Sequence, residues 1–181
     1  MPDLRPFRQV DEYDIINLFT VSGTIPFKRG TFVKPGGSDW RTSETDNYAL
    51  GNAGASYTNT VSQRWGTQPY VVTASTGDVG VIGLTLDDVR ETDENGELLK
   101  FNPKKAAQMQ CVLSGQTVRI ATRGVFLYSG VSESVTAGQA AYVSGGQLTN
   151  NSQNSVHGST VGTFLGAKDA NGWVLVKINC Q

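Results

Sequence analysis

The constraint that says most about this chain is how short its β-type runs are and what stops them. Segments dense in Val, Ile, Thr and aromatic residues recur along it, separated by 21 glycines, several of them in Gly-Gly, Asn-Gly or Ser-Gly pairs. Short strands joined by tight turns fold as all-β sandwiches or barrels. With 181 residues there is enough chain for one core without a disulfide or a metal.

The last strand is the clearest. In Trp173-Val174-Leu175-Val176-Lys177-Ile178 the residues Val174, Val176 and Ile178 point one way, and Trp173, Leu175 and Lys177 the other. Asn171-Gly172 precedes it as a hairpin signal, and its expected partner is residues 161–167. A second hairpin runs from Ala140-Ala141-Tyr142-Val143 through Gly145-Gly146 into Gln147-Leu148-Thr149. A third is expected from 79–89 through Asn95-Gly96 to 98–101. A fourth is expected from 110–113 through Ser114-Gly115 to 117–122, and residues 124–128 add a further strand. The one helix candidate is 103–109, with Pro103 at its first position.

Two regions stand apart. Residues 1–20 carry two arginines, two prolines and an apolar end, and read as an extended arm that docks on something. The remainder, 21–181, reads as a β-rich domain with a long polar insert at about 36–68. Trp40, Tyr48, Tyr57 and Trp65 are spaced through that insert, which reads equally as a functional loop or as a loop whose aromatics pack on a sheet.

An internal repeat is also visible. Gly30-Thr31-Phe32-Val33 and the Gly138–Val143 stretch each place a glycine, a spacer, an aromatic and a valine before a glycine-rich turn. Each is followed, after an insert, by a Val-Gly strand: Val79-Gly80-Val81-Ile82-Gly83-Leu84 and Val161-Gly162-Thr163-Phe164-Leu165-Gly166.

Catalytic motifs are hard to place. The single histidine, His157, lies in a polar stretch without a neighbouring acid. Gly130-Val131-Ser132-Glu133-Ser134 departs from the nucleophile-elbow pattern at its last position, so a Ser132–His157–Asp169 trio is a combination any such chain offers. The acidic run 87–97 lacks the spacing of a calcium loop and reads as a solvated hairpin tip. Cys111 and Cys180 have no metal-ligand spacing, read as ordinary thiols and suit a reducing compartment. No cofactor is expected. A net charge of −1 with Lys and Arg scattered along the chain argues against a nucleic-acid partner, and no apolar run is long enough to suggest a membrane span.

Two stretches carry a resemblance. Residues 135–143, 161–166 and 172–178 resemble phage capsid cement proteins in their Gly, Val-rich strand, Gly turn and Val-Gly strand order. Asp14-Ile15-Ile16-Asn17-Leu18-Phe19, Gly23-Thr24-Ile25-Pro26 and Lys28-Arg29-Gly30-Thr31-Phe32-Val33 resemble head-decoration proteins of tailed phages, including those of cyanobacterial phages. The resemblance implies a small β-barrel or β-tulip-like module without catalytic function. It would bind the outer surface of the head as a homo-trimer and clamp neighbouring major capsid subunits. The expected capsid contacts are Arg5, Phe7, Arg8, Ile15, Ile16, Leu18 and Phe19 in the arm, with Trp40, Tyr48, Tyr57 and Trp65 as loop contacts. The alternative is a head or tail-fibre adhesin that binds host glycans through the aromatics of 36–68.

Overall fold

The structure, a computed structural model, describes residues 3–8, 11–21, 25, 27–36, 70–131, 133–151 and 160–180, and for residues 6–8 the backbone. The loop-contact candidates Trp40, Tyr48, Tyr57 and Trp65 lie outside the described residues, as do Ser132 and His157.

The chain is all-β. Its strands are β1 (Leu4–Arg8), β2 (Ile15–Ile16), β3 (Thr20–Val21), β4 (Phe32–Pro35), β5 (Tyr70–Thr73), β6 (Gly83–Thr85) and β7 (Asp88–Arg90). They continue with β8 (Cys111–Leu113), β9 (Ile120–Ala121), β10 (Arg123–Tyr128), β11 (Ala140–Ser144), β12 (Gln147–Thr149), β13 (Gly162–Phe164) and β14 (Val174–Asn179). Among the described residues, one short α-helix, α1 (Pro103–Gln108), begins on proline, with the Asn102 carboxamide oxygen accepting from the Lys105 amide. Sheet I has the order β1-β10-β14-β13-β11-β12 and sheet II the order β2-β9-β6-β4-β5-β3. Among the described residues the two do not close into a barrel. They lie face to face around one core, in which Phe32 meets Tyr128 edge-on with ring centroids 6.2 Å apart.

The hairpins β11–β12 and β13–β14 form as their turn residues suggest. The third closes only at its tip, where Thr92 bridges Leu98 antiparallel and the Leu99 amide donates to Glu91 O, and the fourth does not form. Residues 88–90 and 111–113 instead pair with each other in parallel, and 120–121 joins β6 and β2. Both turns are present, but side chains tie them off. Asp93 accepts the amides of Asn95 and Glu97, and Gln116 accepts the amide of Leu113, so the flanking segments part after one turn.

The repeat is a duplicated five-strand unit. Strand order β5-β4-β6-β9-β2 in sheet II matches β12-β11-β13-β14-β10 in sheet I. Four backbone bonds correspond. Gly30 N–H donates to Thr85 O as Gly138 does to Phe164 O, at 2.7 and 2.8 Å. Thr85 donates to Thr31 as Phe164 does to Gln139, Ile82 to Val33 as Val161 to Ala141, and Leu86 to Arg119 as Leu165 to Leu175. Gly30 and Gly138 precede β4 and β11 with positive φ of 80° and 87°. This correspondence corrects the sequence register: Gly83, not Gly80, matches Gly162, and Phe32 matches Ala140 rather than Tyr142. Spacing aligned the conspicuous residue types, whereas the hydrogen-bond ladder aligns backbone positions.

The first unit is opened twice relative to the second. Residues 37–69 stand where the second has the Gly145-Gly146 turn, since Gly36 pairs with Tyr70 as Ser144 pairs with Gln147. Residues 87–118, carrying β7, β8 and α1, stand where the second has the short turn 166–174.

Equivalent faces of the two units do different work. Phe32, Leu84 and Ala121 of the first are buried between the sheets, whereas their counterparts Ala140, Thr163 and Lys177 look outward from sheet I. The opposite face of the second unit, with Ala141, Leu148, Phe164 and Val176, packs on the first. In the first unit the corresponding residues Val33, Val71 and Ile120 are covered by Phe27, Val89 and Val112. The units therefore stack head to tail, and the stack ends under the 87–118 insert at one side and at a polar sheet face at the other.

Residues 4–8 of the expected arm are extended, and they lie along β10 of their own chain. Leu4 is buried in the inter-sheet core, Arg29 Nε bonds Asp3 at 2.9 Å, and the chain crosses from sheet I to sheet II before β2.

Candidate interaction surface

Three places gather polar chemistry. The first is a cleft of about 460 Å3 between the insert and sheet II, lined by Asn17, Asp87, Gln110, Cys111, Thr117 and Arg119 among others. Buried Asp87 accepts the Arg119 amide at 3.1 Å and Nε at 3.0 Å and also receives Nη2, so that guanidinium is committed to one carboxylate. The pairing holds the Arg119 proton more tightly than usual. Burial pushes the Cys111 thiol up, and Cys180, set deeper, is pushed up to about 12. Both thiols stay protonated at neutral pH, the unreactive form.

The second place is the acidic run 87–97. Asp93 is buried at its centre and bonded by the Lys105 ammonium and two amides, and these contacts hold its carboxyl below the ordinary value. Asp88 pairs with Lys28 at 3.4 Å and lies 3.6 Å from Arg90. The run is thus a turn knitted by internal cations. Among the described residues no three His, Cys, Asp or Glu side chains converge.

The third is the outward face of sheet I. Register places Leu127 beside Leu175, flanked by Arg5 on β1, with the Arg5 guanidinium 4.6 Å from the centre of the Trp173 ring. The next row holds Val125, Lys177 and Thr163, and beyond it lies Arg123 opposite Asn179. Arg5, Arg123 and Lys177 are exposed, and none is in an ion pair among the described residues. The six strands carry Arg5, Arg8, Arg123 and Lys177 and no aspartate or glutamate. One carboxylate, Asp14, reaches the shallow hollow that Arg123 and Lys177 line. Cations scattered along the chain are thus gathered on one face, because β1, β10 and β14 are sheet neighbours.

The expected contact residues are dispersed. Arg5 stands on this outward face, and Ile15 and Ile16 lie half-buried at an edge of sheet II. Leu18 is 55% exposed, while Phe19 packs partly on the core beneath the insert. Phe7 and Arg8 lie in β1, their side chains outside the described residues. Asp169 serves its turn, accepting the amides of Asn171 and Trp173. Sequence reading missed the Arg5–Trp173 stack and the Asp93–Lys105 pair, since only the sheet order brings the first together and only the helix start the second. Compared with known proteins, the chain matches no protein-family model and no curated protein.

Proposed function

We propose that this chain is a capsid cement protein that works by contact rather than catalysis, on the outer surface of an expanded tailed-phage head, where it bridges neighbouring major capsid subunits as a homo-trimer. The observation that carries the reading is where the two resembling stretches fall. Residues 14–33 supply β2 and β4 of the first unit, and 135–178 supply β11, β13 and β14 of the second. The two stretches thus share one equivalent pair of framework strands, β4 and β11, of the duplicated unit. A rigid framework with a broad exposed sheet face suits a protein whose contacts repeat around a symmetric shell, where many modest affinities combine.

The test is co-sedimentation of the purified protein with expanded heads, together with the melting temperature of those heads. Pelleting with the heads and a raised melting temperature are expected. A protein that stays in the supernatant and leaves the melting unchanged overturns the reading.

A further inference from the structure

We propose that the outward face of sheet I, centred on Leu127 and Leu175 and ringed by Arg5, Arg123 and Lys177, is a docking surface for the carboxylate-bearing surface of another protein. The argument begins with the duplication. The face of the unit that carries Phe32, Leu84 and Ala121 is, in the first copy, already an interface, buried against the second. The second copy presents the equivalent face to solvent, with Ala140, Thr163 and Lys177 at those positions. The exchange removes the large apolar groups that would stack a third unit, and it leaves charge of one sign.

That charge selects the partner. The strands of this face hold no carboxylate, and Asp14 alone stands beside the hollow of Arg123 and Lys177. Three cations around paired leucines and a stacked Arg–Trp pair have the make-up of a protein interface: an apolar centre, a polar rim, and Arg and Trp as anchors. Nucleic acid fits less well, because phosphate neutralisation by many cations drives that binding and this face carries few. The surface stands independently of the cement reading. On that reading, its partner is the acidic part of a capsid subunit.

The experiment uses the full chain and poly-L-glutamate as the probe at low salt. A double variant on the face, Arg123→Glu with Lys177→Glu, is compared with Lys100→Glu plus Lys104→Glu, an equal charge change at exposed residues of the insert. The face variant is expected to lose about tenfold in affinity and the insert variant much less, with both melting like the parent. On the parent itself, bound polyglutamate is expected to slow hydrogen exchange in β10 and β14. Equal losses in the two variants, no binding by the parent, or tighter binding to single-stranded DNA of equal charge overturns the proposal. If the face variant loses polyglutamate yet still pellets with heads, the capsid contact lies elsewhere and this surface serves a different acidic partner. If the parent binds polyglutamate and not heads, only the cement reading fails.

Discussion

Gly83 and Gly162 hold the same position in the two units, each starting a strand against the backbone of the next. A Cβ at Gly162 would press into the Lys177 carbonyl oxygen, and one at Gly83 into that of Ala121. Gly162→Ala is therefore expected to cost about 2 kcal/mol in urea melts, as overpacking does. Gly166→Ala, where a Cβ meets nothing within 4 Å, is expected to stay within about 0.5 kcal/mol. Equal effects would mean that close approach is not what Gly162 provides. Asp93 gives a pH signature. Its folded-state pKa lies below the ordinary 3.8, so its contribution is complete above that value and is lost as pH falls through the lower, folded one. Asp93→Asn is expected to melt below the parent at neutral pH, and the gap should close in acid below that folded value. A gap that persists there would assign the loss to turn geometry.

Among the elements, the two matched hairpins differ most. β11–β12 closes on Gly145-Gly146, both with positive φ, at 56° and 75°. Its counterpart β4–β5 is closed by residues 37–69 while keeping the same pairing up to Gly36 and Tyr70. Replacing 37–69 by Gly-Gly is expected to leave a folded domain, melting within a few degrees of the parent by circular dichroism. That variant also removes Trp40, Tyr48, Tyr57 and Trp65 together, so its binding to expanded heads reads their contribution directly. The 87–118 insert is different in kind. Its Val89 and Val112 cover Val33, Val71 and Ile120, and a turn in its place would leave that face open to water.

At the scale of the whole molecule, the two units share one core. Phe126, Phe164, Val176 and Ile178 of the second close against Phe32, Leu84 and Ala121 of the first, and Leu4 from the chain start lies in the same layer. Each fully buried aromatic there contributes about 2–3 kcal/mol; the smaller apolar cluster under the insert lies on the far face of sheet II and contains no strand of sheet I. Residues 1–122 and 123–181 made separately are expected to lack a cooperative thermal transition, and co-expression is expected to restore it. A cooperative melt of 123–181 alone would show that the second unit is self-sufficient.

The strand-rich class, the tight hairpins at Gly145-Gly146 and Asn171-Gly172, the alternation along β14 and the helix start at Pro103 were legible in the sequence alone. Each depends on residues within one or two turns of one another, where side-chain alternation and φ preference act directly. The existence of a repeat was legible too, from Gly30 and Gly138, but not its register. Only the tertiary structure decided that Gly83 matches Gly162, that 88–90 pairs with 111–113, and that β1 lies on β10. It also decided which copy of the shared face is buried and which stays open, with Arg5, Arg123 and Lys177 brought together on the open one. Those outcomes rest on ladders and layers between segments tens of residues apart, and local sequence carries no term for which distant strand becomes a neighbour.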